Sequence, residues 1–125
     1  MNSVDTAVSY SSKGCYYAVV DIDFAWRWVP VFPPHRQLQD FRWMFGELES
    51  SKYECFIENC LCFGLSSAPS IFNRLSDAIV RMMSRRGFRS VINYLDDFLV
   101  IGKTYDECQQ GLITFIHCFT CLDLI

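Results

Sequence analysis

A chain of 125 residues suits one small domain, and its 51% hydrophobic and 16% aromatic content excludes a disordered one. The net charge of −3 argues mildly against a nucleic-acid binder, which usually carries a basic surplus. No window reaches the roughly 18–20 continuous apolar residues of a membrane span, and the first residues lack a signal-peptide pattern, so an intracellular protein is expected.

Taken in chain order, Ser3 can cap a short helix in which Val4, Ala7 and Val8 share a face, and Lys13-Gly14 can stop it. Cys15–Ile22, reading CYYAVVDI, predicts a buried strand ending near Asp21. Phe24-Ala25-Trp26 turns the chain. Pro30, Pro33 and Pro34 then predict an irregular stretch. Two antiparallel strands are expected at Leu38–Phe45 and Tyr53–Ile57, with Gly46–Lys52 between them. Asn59–Ser67 reads as a loop holding Phe63-Gly64.

A long helix should run from about Ala68 to Arg86, capped by Ser66 or Ser67, with Pro69 in its first turn. Ile71, Phe72, Leu75, Ala78, Ile79, Met82 and Met83 step by three and four and form its core stripe. Gly87 ends it. Ser90–Leu95 and Phe98–Ile101 predict two short strands flanking Asp96-Asp97. A last helix begins near Thr104 or Tyr105, with Asp106 and Glu107 where the helix dipole favours acids. The tail FIHCFTCLDLI is almost uniformly apolar and would need a partner surface.

Cys15, Cys55, Cys60, Cys62, Cys108, Cys118 and Cys121 follow no disulfide framework. Cys60, Cys62, Cys118 and Cys121, with His117, can be drawn as a zinc site, but the spacing matches known patterns weakly. Buried reduced thiols are the favoured reading. Arg81, Arg85, Arg86 and Arg89 fall within nine residues, and Arg27, His35, Arg36 and Arg42 form a looser group. Each is a solvated basic face or, more sharply, a phosphate-contacting surface.

Asp96-Asp97 is the sharpest feature. Adjacent acids are good turn chemistry. Their flanks, however, imply a buried sheet, where an unpaired charge is costly. Asp21 ends a similar apolar strand. If the two strands are neighbours, three carboxylates converge and repel unless a cation joins them. Oxygen ligands of this kind fit Mg²⁺. Two such ions can hold the attacking and leaving oxygens of a phosphoryl transfer.

These segments resemble the reverse transcriptases. YLDD in an apolar hairpin is similar to that family's catalytic motif. DIDFAWRWVPVFPPHR resembles its first catalytic motif, and LCFGLSSAPSIFNRLSDAI the loop and helix that hold template and nucleotide. SVDTAV resembles the short helix before the palm in retrotransposon enzymes. The wording PHR, FRW, FGLSSAP, INYLDDFLVIG and ECQQGL resembles DIRS-type and gypsy-type retroelement polymerases. The likeness covers residues 3–112 and fades after Gly111. Cys62 stands where the family usually has proline, and Asp23 is an additional acid.

The resemblance implies an α+β fold: a palm-like antiparallel sheet backed by two helices. It implies one partial palm domain over residues 1–125, with fingers, thumb and ribonuclease H absent. Asp21 and Asp96 would bind metal, Ile22 would lend a carbonyl, and Asp97 would be the supporting acid. Trp26 would pack under the deoxyribose, or else be a core aromatic. Phe63 and Gly64 would lie beside the nascent base pair, and Tyr94 and Leu95 near the primer end. Two Mg²⁺ ions, with Mn²⁺ as substitute, are the implied cofactors. The implied partners are an RNA or DNA template with a DNA primer, deoxynucleoside triphosphates and the remaining polymerase domains, with no membrane. The alternative is a truncated or domesticated inactive fragment that binds nucleic acid or a protein.

Overall fold

A computed structural model describes residues 4–45 and 52–121. The chain divides into two compact units. One joins the segment up to Asp23 to the segment from Pro69 onward, and the other is Phe24–Ala68.

The first unit is α+β. Its elements are α1 (Val4–Tyr10), β1 (Tyr16–Asp21), α2 (Ala68–Arg85, which starts at the unit boundary), β4 (Val91–Tyr94), β5 (Asp97–Gly102) and α3 (Tyr105–Thr120). The strands form an antiparallel sheet in the order β1-β5-β4. Ala18, Val20 and Phe98 face the two long helices, packing with Ile79 and Met83 of α2 and Phe115, Cys118 and Phe119 of α3. Alternation sends Val19, Leu99 and Ile92 to the opposite face, where they lie in one row across the strands. Val19 is 71% exposed there. The expectation of a buried β1 is therefore corrected. Both helices cover the same face, and the apolar residues on β1's other face conceal the alternation.

Most of the expected boundaries hold. The α2 stripe buries Phe72, Ile79 and Met83, while Ile71 is exposed. Ser76, which the stripe omitted, is fully buried. The N-cap of α3 is Thr104, whose hydroxyl accepts from the Glu107 N–H at 3.2 Å. The expected Ser3 cap and the loop at 46–51 lie outside the described residues.

The apolar tail is corrected as far as Cys121, residues 122–125 lying outside the described residues. Phe115, Cys118 and Phe119 sit at 1%, 0% and 4% exposure, inside the unit's own core. Two glycines let α3 come that close. A Cβ on Gly102 would fall 2.4 Å from the Cys108 backbone nitrogen, and one on Gly111 would fall 2.8 Å from Val100 Cγ1. Gly111 costs the helix about 1 kcal/mol relative to alanine. Its contact with β5 explains its presence.

In the second unit, β2 (Asp40–Phe45) pairs with β3 (Lys52–Ile57), close to the expected hairpin. Phe41 stacks on its cross-strand partner Phe56 at 5.6 Å. The proline-rich stretch was expected to be irregular, yet Pro33–Leu38 forms a 3-10 helix, as does Ala25–Trp28. Pro33 and Pro34 occupy its first positions, where a missing N–H costs nothing.

All seven cysteines are free thiols, but only Cys108 and Cys118 are buried; Cys55 and Cys121 are exposed. Burial pushes the Cys108 thiol above its ordinary 9.0, which a backbone hydrogen bond involving Gly102 partly offsets. Among the described residues no helix is long and apolar enough to cross a membrane.

Candidate active site

The acids gather where β1 ends and β5 begins. Asp21 is the last residue of β1 and Asp97 the first of β5, and the register sets them directly opposite each other. Tyr94, the last residue of β4, faces Asp97 from the other side. Tyr94, Asp97 and Asp21 thus form a row on the sheet face away from the helices. A slip of one residue in β1 would turn Asp21 toward the core, so the packing of the partly buried Ala18 and Val20 against that core is what fixes its placement.

Asp96 lies outside this row. The hairpin loop is Leu95-Asp96, two residues rather than the Asp96-Asp97 turn suggested by the sequence. Asp96 is half-buried, whereas Asp21 and Asp97 are exposed. Like charges directly opposite in an antiparallel pair repel. The donors are all carboxylate oxygens, whose chemistry fits a hard divalent cation. The side chains are not closed around one: among the described residues no three His, Cys, Asp or Glu groups come together as a metal-holding cluster.

The loop geometry is unusual. Leu95 has φ 54°, in the left-handed region. A two-residue hairpin loop that needs positive φ at its first position normally uses glycine there. Leucine costs about 1–2 kcal/mol in that conformation. Helix α2 supplies contacts to the tip. Ser76 Oγ donates to the Leu95 carbonyl at 2.8 Å and also lies 3.2 Å from the Phe72 carbonyl. Asn93 Nδ2 donates to Asp77 Oδ1 at 3.2 Å, and Asn73 Nδ2 donates to Asp77 Oδ2 at 3.2 Å. Ser76, Asp77 and Asn93 were not among the site residues expected from sequence. Asn93 carried a signal, being a polar residue at an inward-facing strand position. Ser76 carried another, being a hydroxyl on an apolar helix stripe.

A cavity of about 290 Å³ adjoins the open face, lined by Val4, Ala7, Val19, Ile92, Tyr94 and Asp97 among others. Tyr94 is 58% exposed. Ile22 packs its side chain against the core cluster. Arg81, Arg85, Arg86 and Arg89 are exposed, and Arg86 donates to Cys118 Sγ. The helical rise puts Arg85 about 14 Å along α2 from Ser76. Arg85 therefore lies well along the helix from the residue that contacts the hairpin tip, whereas Arg81 is only about 7.5 Å along from it.

Trp26, Phe63 and Gly64 belong to the second unit. Trp26 is buried, its ring tilted against that of exposed Phe63 at 5.6 Å. Gly64 has φ +87°, which favours glycine. The Cys62 N–H donates to Gln39 Oε1 at 3.3 Å, and the Glu58 N–H to the Gln39 carbonyl at 3.0 Å. Proline at position 62 would have no such donor. The departure from the family's usual proline thus carries a hydrogen bond of its own.

The family model described as "Reverse transcriptase (RNA-dependent DNA polymerase)" matches residues 3–124. The chain belongs to this family. The match to the reverse transcriptases runs past Gly111, where the motif likeness was expected to fade. No curated protein matches the chain. The antiparallel sheet backed by α2 and α3 accords with a small palm-like fragment of a reverse transcriptase.

Proposed function

We propose that the chain is a partial palm domain of a retrotransposon reverse transcriptase, of DIRS or gypsy type, whose Asp21–Asp97 corner serves nucleotidyl transfer. The observation that carries this reading is the register that faces Asp21 with Asp97 beside a hairpin tip bearing Asp96. Opposed carboxylates at the exposed end of a sheet weaken the fold locally, and function is the reason to keep them.

In this reading Asp21 and Asp96 hold divalent cations, Mg²⁺ or Mn²⁺, with the Ile22 carbonyl as a further ligand and Asp97 as supporting acid. Such ions, when bound, stabilise charge on the phosphate and favour the nucleophilic form of the primer hydroxyl. The primer 3′-oxygen forms a bond to the α-phosphorus, the bond to pyrophosphate breaks, and the hydroxyl proton leaves to solvent. Tyr94 and Leu95 support the primer end. Trp26, Phe63 and Gly64 contact the incoming nucleotide and its pair. Arg81, Arg85, Arg86 and Arg89 take backbone phosphates. The substrates are an RNA or DNA template, a DNA primer and deoxynucleoside triphosphates. The remaining polymerase domains complete the grip.

Primer extension on an RNA template with Mg²⁺ or Mn²⁺ tests the reading. Extension by the chain joined to the remaining polymerase domains, lost in Asp96→Asn, is expected. Extension that survives Asp96→Asn would remove the metal role of that residue. A second reading is favoured by the open arrangement of the carboxylates: a fragment that binds nucleic acid without catalysis. It predicts salt-dependent primer–template binding with no extension in either metal.

A further inference from the structure

We propose that Ser76 is a positioning residue for the Asp96–Asp97 corner, acting through the carbonyl of Leu95. The inference rests on reading that corner as a cation-dependent site. Three observations combine. Leu95 is held at φ 54°, which a leucine avoids unless its surroundings impose it. The Ser76 hydroxyl reaches its carbonyl at 2.8 Å from a helix. Ser76 itself is 0% exposed on an otherwise apolar stripe, where alanine would suit the helix better and bring no polar group into the core.

The neighbouring contact acts on the same hairpin from the other side of Tyr94. Asn93, also 0% exposed, is tied to Asp77 one residue along α2. The Asp77 carboxylate is in turn shared with Asn73. Helix α2 thus grips the hairpin at Asn93 and Leu95, the residues on either side of Tyr94. Asp96 follows Leu95 directly in the loop, so the dihedral angles at Leu95 set where its carboxylate points relative to Asp97, which the ladder to Asp21 and Tyr94 holds. Without the Ser76 hydroxyl, the tip keeps its ladder to β4 and β5 but loses the contact that offsets the left-handed leucine.

The test compares the isotope-labelled wild-type chain with Ser76→Ala and Ser76→Thr. Backbone couplings and carbon shifts report φ at Leu95, thermal melts report the fold, and Mn²⁺ titration reports the site. Ser76→Ala is expected to stay folded while Leu95 leaves the left-handed region and Mn²⁺ affinity falls about 10–100-fold, the range for a lost outer-shell contact. Ser76→Thr keeps the hydroxyl and is expected to retain the Leu95 conformation and most of the affinity, which separates a lost donor from altered packing. A Ser76→Ala chain with the Leu95 turn and Mn²⁺ affinity of the wild type would overturn the proposal. Failure of the metal reading looks different: the wild-type chain takes up no Mn²⁺. An unchanged Leu95 turn in Ser76→Ala then still refutes the grip.

Discussion

An Asp97→Asn chain is expected to be more stable than its parent and to bind Mn²⁺ far less tightly. The register sets Asp97 directly opposite Asp21, and both are exposed. Removing one of two opposed like charges relieves about 0.2–1 kcal/mol of cross-strand repulsion. The same change removes an anionic oxygen from a site whose affinity depends on deprotonated ligands. As the acid that supports the ligands, Asp97 should account for about 10–100-fold in affinity. Asp21→Asn, which removes a ligand, should lose more. Urea unfolding and electron paramagnetic resonance of free Mn²⁺ measure the two effects on one sample. A variant that lost stability and kept its Mn²⁺ affinity would mean that the pair is structural.

Phe115→Ala should cost about 3–5 kcal/mol, the range for a fully buried aromatic truncated in a core. Its ring is 1% exposed and lies 4.8 Å from both Phe98 and Phe119. Phe98 is the residue after Asp97, so this cluster is also the floor beneath the Asp21–Asp97 corner. The midpoint of urea unfolding should fall sharply, with Mn²⁺ affinity of the residual folded fraction little changed. A loss below about 1 kcal/mol would place the ring at a loosely packed surface, as the apolar tail first suggested.

That tail shows where the sequence stopped being informative. FIHCFTCLDLI has no polar face to mark a helix packed on one side. Its fit depends on Gly102 and Gly111, whose missing side chains let α3 approach the sheet. Neither glycine signals this on its own. The same limit explains β1. Val19 and Val20 look alike in sequence, yet one is 71% exposed and the other packs on the core cluster. Alternation is readable only when the outer face is polar. Pro33-Pro34 misled in another way: proline forbids a helix interior but suits its first turn.

Other parts were legible. The step of three and four in α2, the Thr104 cap and the strands around the acids all carry local signals that the packing obeys. The acids themselves were legible as residues but not as geometry. Pairing chemistry suggested that Asp21 meets Asp96 and Asp97. Only the register shows that its direct partner is Asp97, with Asp96 in the loop. Ser76 carried only a weak signal, a hydroxyl on an apolar helix stripe. Its meaning comes from the leucine nineteen residues away to which it donates.

The proposed role of the corner of β1, β5 and the Leu95-Asp96 loop depends on its taking a divalent cation. Paramagnetic broadening of backbone amide signals by sub-stoichiometric Mn²⁺ tests this residue by residue. The account predicts that the amides of Asp21, Ile22, Asp96 and Asp97 broaden first, that excess Mg²⁺ restores them, and that Asp21→Asn abolishes the effect. Uniform broadening, or broadening centred on other residues while this corner stays sharp, would contradict it.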